Sequence, residues 1–416
     1  MRLRSVALLF ALAAALAGCN DTIESSFDPA KISNKVEQPL PSRILEQMRV
    51  KGMERTAPIA IRIFKEEGVL EIWKAKTDNR FDKIAEYSIC AWSGRLGPKV
   101  KEGDRQAPEG FYPLTPYNLQ PNSKYFLAIN TGYPNRFDQA NGRNGSNLMI
   151  HGACSSSGCY SMTDAQILEI YAFARDAFKG GQKNIQLQAF PFRMTADNMA
   201  RHSHSEHYDF WKELKVGYDN FEVTKRPPEV NVCEKKYVFN QQVETGGAFN
   251  AAGACPVMST PPQLSAALAS YQSAYARDFD KAQKKYDGKM WYDPTEAERK
   301  ALVANLRKGH DLAFAPTGSA LKAGKLMSIK DVERAAAMSK AAAGAPAPAV
   351  ADAKMGRLAP QSTAAPGVLP LAAADASTAV NALPVPQPNP RTETAAITEP
   401  ASIARKKPFW KVWATE

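Results

Sequence analysis

Apolar residues recur in short runs through the first half of the chain, each bounded by charged or turn-forming residues, and this pattern predicts strands. Residues 58–64 and 69–73 are two such runs; the Glu66-Glu67-Gly68 stretch between them predicts a hairpin. Residues 85–92 and 125–129 alternate or run apolar as half-buried strands do, and 148–150 and 185–189 complete the set. Helical spacing is sparser. Residues 39–53 place Ile44, Leu45 and Met48 on one face. Thr163 with Gln166 forms a capping box. The helix it opens runs to about residue 178, with Ile167, Tyr171, Ala174 and Phe178 on one face, and Gly180-Gly181 stops it. Phe210, Trp211, Leu214 and Tyr218 also recur at helical spacing and read as core. The expectation for residues 55–226 is an α+β domain, mainly a β-sandwich-like sheet with few helices.

The flanking segments read differently. Residues 1–19 are an export signal, with Arg2 and Arg4 ahead of an apolar run too short to span a bilayer. The run ends in Leu16-Ala17-Gly18-Cys19, which resembles a lipobox and marks Cys19 for lipidation, hence membrane anchoring without a spanning helix. Asn20, where Asp would favour the inner membrane, points to the outer membrane. Residues 20–54 are a tether and the first helix. Residues 227–261 are a cysteine-bearing segment that wraps the domain or covers one side of the cleft. Residues 262–340 read as helical, with Leu264, Leu268, Tyr271 and Phe279 on one face and a second amphipathic stretch at 296–306. Residues 341–416 are an alanine- and proline-rich tail expected to be disordered, ending in basic residues interleaved with Trp410 and Trp413 that suit a membrane interface or an envelope protein partner.

The net charge of +11 suits anionic envelope polymers or lipids, and no nucleic-acid motif accompanies it. Export to an oxidising periplasm bears on the five cysteines after Cys19. If Cys159 stays free, Cys90, Cys154, Cys233 and Cys255 can pair evenly, Cys233 with Cys255 most simply; a Cys154–Cys159 pair is the competing arrangement.

Residues 147–164 carry the candidate chemistry. Cys159 is expected in the turn before a helix N-terminus, whose partial positive charge favours a thiolate. His151, at the end of a strand, is placed to take the thiol proton, oriented by a backbone carbonyl or by a serine such as Ser156. Gly158 permits a tight turn, and the N–H groups around it, those of Cys159 and Tyr160, are candidate oxyanion donors. The plain alternative is a buried, inert cysteine. Arg193 can clamp a substrate carboxylate or form a structural ion pair. His202, His204 and His207 form a cluster that reads as a solvated polar surface, with zinc binding as the alternative. Tyr133 and Arg136 lie in a loop near the expected cleft.

His151-Gly152 with Ser156-Ser157-Gly158-Cys159 resembles the active-site motif of the L,D-transpeptidase (YkuD-type) catalytic domain, and most of all its YafK-like branch, with a short histidine-to-cysteine loop and Gly-Cys-Tyr ahead of a Met-Thr-Asp helix start. Ser157 stands where the broad family has a second histidine. Gly103-Asp104, the 107–112 segment, Phe190-Pro191-Phe192-Arg193-Met194, Phe210-Trp211 and Gly217-Tyr218 extend the similarity over roughly residues 40–226. The resemblance implies a cysteine acyltransferase on peptidoglycan stem peptides, with Cys159 as nucleophile, His151 as base, and Gly152, Ser157 and Arg193 as candidate substrate-binding residues. It implies no cofactor and no metal. Hydrolysis, as in release of protein from diaminopimelate, is the runner-up; a non-catalytic peptidoglycan-binding lipoprotein is the second alternative.

Overall fold

The computed structural model describes residues 28–293 and 324–344, apart from 155, 157 and 245, with scattered positions from 298 to 308. The lipobox Cys19, most of the stretch at 296–306 and all of the tail beyond 344 lie outside the described residues.

Helix α1 (Ser42–Val50) buries Ile44 and Met48 and leads into two five-stranded sheets. The first sheet has the order β3-β2-β1-β10-β5, formed by β1 (Ile59–Phe64), β2 (Val69–Ala75), β3 (Phe81–Ser88), β5 (Gly110–Leu114) and β10 (Ile185–Phe190). Its central strand β1 pairs parallel with β10 and antiparallel with β2, and every β1 residue is buried. Burial reaches even Arg62, whose guanidinium lies over the rings of Tyr218 and Phe221 at 4.7 and 4.3 Å and donates to Glu222 at 2.7 Å. Aromatic faces and one carboxylate thus replace its water.

The second sheet has the order β4-β9-β8-β7-β6, from β4 (Ala91–Trp92), β6 (Leu119–Gln120), β7 (Ala128–Asn130), β8 (Met149–His151) and β9 (Tyr160–Ser161). One continuous apolar core draws on both sheets and on helix α3 (Asp164–Lys179), with the short helix α2 (Arg136–Ala140) before β8. Thr163 caps α3 by accepting from the Gln166 amide, the capping box the sequence predicts.

Two predicted strands are corrected by the backbone. The 85–92 run is not one strand: β3 ends at Ser88 and the chain passes to the other sheet at Ala91, with Cys90 held to Cys154 between them. The strand expected from 125 begins at Ala128, because Phe126 adopts φ +65° and breaks extended geometry.

Beyond β10, helices α4 (Ala196–Arg201) and α5 (Tyr208–Thr224) pack on the first sheet's side of the core, burying Trp211, Leu214 and Phe221. The hairpin of β11 (Val230–Cys233) and β12 (Lys236–Phe239), and the smaller pair β13 (Gln242–Val243) and β14 (Met258–Ser259), belong to the 227–261 segment. Tyr237 and Phe239 contact Phe111, so this segment packs against β5. Residues 262–340 are not wholly helical. Helix α6 (Pro262–Tyr286) and helix α7 (Ile329–Gly344) are separated by strands β15 (Lys289–Tyr292) and β16 (Lys325–Ser328), where Met290 pairs with Met327 and Trp291 with Leu326. Among the described residues no helix is long and apolar enough to cross a membrane.

Candidate active site

His151 ends β8, and Cys159 stands one residue ahead of β9. The two strands are parallel neighbours, with Ile150 opposite Tyr160 and His151 opposite Ser161. Side chains alternate along a strand. Ile150 and Tyr160 therefore point into the core, both fully buried, while Met149, His151, Cys159 and Ser161 share the other face. Parallel strands usually need a dozen or more residues between them. The 152–159 connection is shorter and closes through tight turns, with φ of +63° at Ala153, +43° at Cys154 and +131° at Gly158.

Gly152 is required by close approach. A Cβ there would lie 2.4 Å from Asp164 Oδ1 and 2.9 Å from the Tyr125 carbonyl. Its N–H donates to the Tyr125 and Leu127 carbonyls, and the adjacent Ala153 N–H donates to Asp164 Oδ1 at 2.8 Å. Gly152 thus has a packing role. A disulfide joins Cys154 to Cys90, and the Cys154 N–H donates to the Met162 carbonyl, so the connection is fixed at both its start and its middle. A second disulfide joins Cys233 and Cys255, and Cys159 is free; the Cys154–Cys159 alternative is overturned.

The His151 Nδ1 lies 2.6 Å from the Gly152 carbonyl. A carbonyl only accepts, which assigns the proton to Nδ1 and leaves Nε2 with its lone pair. Ser161 Oγ is 3.4 Å from Nε2, and the Tyr125 ring lies over the imidazole with centroids 4.5 Å apart. Burial holds the His151 pKa below the ordinary imidazole value, opposed by the bond to the Gly152 carbonyl. The orienting group is therefore a backbone carbonyl. Ser156 instead braces the loop, donating to the Cys159 carbonyl at 2.7 Å and accepting from the Gly158 N–H.

Cys159 Sγ accepts the Met149 N–H at 3.4 Å and lies 3.8 Å from the Asn147 carbonyl. Burial pushes its pKa up, against the Met149 N–H and the positive charge of Lys99. Cys159 does not stand in the turn just before the helix: strand β9 and residues Met162 and Thr163 intervene before α3. At rest the site pairs a thiol with a neutral imidazole, and no hydrogen bond joins them. Tyr160 also departs from its expected role: β9 lies between β4 and β8, so its amide faces a neighbouring strand, and the Cys159 amide is the candidate oxyanion donor that remains.

The loop from 93 to 109 abuts the site, with the Gln106 carbonyl 3.7 Å from where a Gly158 Cβ would sit. It is folded around the buried Lys65 ammonium, which donates to the carbonyls of Arg95, Gly97 and Ala107 and to Glu109. The pattern gave no sign of this; a lysine directly after an apolar strand was the available signal. Tyr133 is buried and donates to the Lys99 and Asn144 carbonyls.

Arg193 is a structural ion pair. It donates to the buried Glu71 at 2.7 Å and lies over the Phe64 ring at 4.4 Å, which leaves its guanidinium committed on the first sheet. The three histidines do not form one helical face but sit around the α4–α5 turn. His202 bonds Glu66 at 3.0 Å and stacks on Phe192, and among the described residues no group of three His, Cys, Asp or Glu side chains is arranged to hold a metal. Ser157 lies outside the described residues.

Residues 63–183 match the family model described as the L,D-transpeptidase catalytic domain, YkuD. Over 185 residues the chain is 46% identical to YafK of Escherichia coli (strain K12), whose name assigns it provisionally to the L,D-transpeptidases; the alignment covers 44% of this chain and 75% of YafK. The chain belongs to the L,D-transpeptidase family. Among solved structures, the helical cell shape determining protein Pgp2 from Campylobacter jejuni aligns at 15% identity over 62% of this chain and 86% of its own, with a TM-score of 0.28. Bdellovibrio bacteriovorus Bd1075 aligns at 23% identity over 41% and 61%, with a TM-score of 0.24. Scores this low do not define a common architecture.

Proposed function

We propose that the chain is a cysteine acyltransferase acting on peptidoglycan stem peptides through a thioacyl enzyme. The observation that carries this reading is the placement of His151 and Cys159 on one face of two parallel strands, with the Gly152 carbonyl holding the imidazole so that Nε2 carries the lone pair. Nε2 takes the Cys159 proton as Sγ attacks a carbonyl next to a diaminopimelate centre. The Cys159 amide stabilises the oxyanion. The C–N bond then breaks, the leaving amine takes the proton from the imidazolium, and a thioester remains. An acceptor amine (transpeptidation) or water (hydrolysis) releases the acyl group and returns the proton to Sγ. Because the resting pair is neutral, proton transfer accompanies attack rather than preceding it.

Two disulfides support a periplasmic setting, and the lipobox at Cys19 supports anchoring, for which the outer membrane is proposed. Intact-mass measurement after incubation with muropeptides tests the reading. An acyl adduct on wild type that is absent from Cys159→Ala supports it; cross-linked products then mark a transpeptidase and shortened ones a hydrolase. Binding to sacculi without any adduct or product sinks the enzyme and favours a binding protein.

A further inference from the structure

The loop that abuts Gly158 has a second side. There it lines a cavity of about 600 Å³ into which neither Cys159 nor His151 reaches. Arg95 to Gln106 form one wall, the α4–α5 turn from His202 to His207 another, and β15 with Val332 of α7 the third. Its size falls within the usual range for small-molecule sites.

Its chemistry is mixed rather than ionic. Trp291, whose ring carries the Arg201 guanidinium at 4.9 Å and packs edge-on against His202, and Tyr292 give part-exposed aromatic surface, while Trp211 lies fully packed. The charged groups largely cancel: Arg95 is bound to Asp293 at 2.9 Å, and Asp104 to Lys99. Exposed polar side chains are left over at the rim. His204 and Lys101 make no side-chain hydrogen bond among the described residues. Little net field remains to select an ion, and too many polar groups line the walls for a purely apolar guest. Aromatic surface beside unengaged donors and acceptors matches a pyranose, whose C–H face is apolar and whose rim carries hydroxyls and an amide.

We propose that this cavity binds a saccharide, the glycan portion of the polymer whose stem peptide enters at Cys159. The proposal rests on the peptidoglycan reading above for the identity of the sugar. A single loop, pinned by Lys65, would then touch the peptide site with one side and the glycan with the other, so that the two parts of one polymer are held together.

The test is titration calorimetry of the full chain with peptide-free glycan strands prepared from peptidoglycan. Wild type and Cys159→Ala are expected to bind equally. Trp291→Ala should weaken binding at least about tenfold, and His204→Ala, an exposed site that leaves the fold intact, should weaken it measurably; thermal melting checks that Trp291→Ala is folded. No binding by wild type, or equal binding by all four proteins, overturns the proposal. Displacement of the strands by free stem peptide would make the cavity a peptide site and overturns it as well. Strand binding that depends on Trp291, without any adduct at Cys159, keeps this site and removes the enzyme; an adduct without strand binding does the reverse.

Discussion

Lys65 and Glu109 form an ion pair of 2.8 Å in which neither side chain is exposed to solvent. Lys65 also caps three carbonyls of the 93–109 loop, and Glu109 accepts the Gly97 amide and the Trp211 indole N–H at 2.9 Å. A segment with little secondary structure of its own is thereby given a fixed internal partner. Removing one member of a buried pair leaves the other uncompensated and costs about 3–5 kcal/mol. Lys65→Met is expected to lose stability on that scale in urea unfolding, and Lys65→Met/Glu109→Gln to recover part of it. A single variant as stable as wild type would show that the pair holds nothing in place.

His151 must be neutral to accept the thiol proton. Its folded pKa lies below the ordinary imidazole value of about 6.5. Acylation should therefore rise with pH through a midpoint below that value and be level above it until the thiol titrates. Tyr125→Ala, which uncovers the ring, should move the midpoint upward toward the ordinary value. His151→Ala should slow acylation by about 10²–10⁴-fold. Single-turnover rates across pH read all three.

The Cys159 thiol is pushed up by burial and eased down by Lys99. Alkylation of Cys159 by iodoacetamide is expected to follow a midpoint above the free-cysteine value of about 8.5. Lys99→Met should raise it further, since a positive charge near the developing thiolate is lost. A midpoint well below the ordinary value would mean a preformed thiolate and a different proton inventory.

The Cys90–Cys154 disulfide holds the 152–159 connection against the point where the chain changes sheets. Replacing both cysteines by serine should cost about 2–4 kcal/mol and slow acylation. Replacing Cys233 and Cys255, which lie in the 227–261 segment, should cost stability while leaving the acylation rate of the folded protein unchanged. Equal effects on acylation from the two double variants would refute the assignment.

Arg193→Ala should leave KM for stem peptides unchanged, because the guanidinium is engaged by Glu71 rather than by the cleft. It should lower stability by about 1 kcal/mol, since the buried Glu71 carboxylate loses one partner and keeps the Trp73 indole N–H and Lys83. A large rise in KM at unchanged stability would return Arg193 to the role of substrate clamp.

Much of the architecture was legible because apolar period and turn residues agree locally: the β1–β2 hairpin, the capped α3 and the strand ending at His151 all follow from a few neighbouring residues. The 85–92 run misled because its apolar character continues while the chain crosses between sheets, an event decided by the bond from Cys90 to a residue 64 positions away. The site was legible in membership and not in electrostatics. Thr163 marks a helix start clearly, but nothing local to Cys159 reveals the two-residue strand that separates the thiol from it. Lys65 was hidden for the same reason, since its partners come from residues 30 to 44 positions further on.

The parallel register of β8 and β9 has a consequence for how such sites vary. His151 and Cys159 share one face because β8 and β9 lie side by side, and the intervening residues only need to turn the chain back. The interval between the two can lengthen or shrink across relatives with the reacting atoms unmoved, provided Ile150 still lies opposite Tyr160. A search keyed to a fixed number of residues between histidine and cysteine would pass over chains that keep the same chemistry; one keyed to the two short apolar strands would find them.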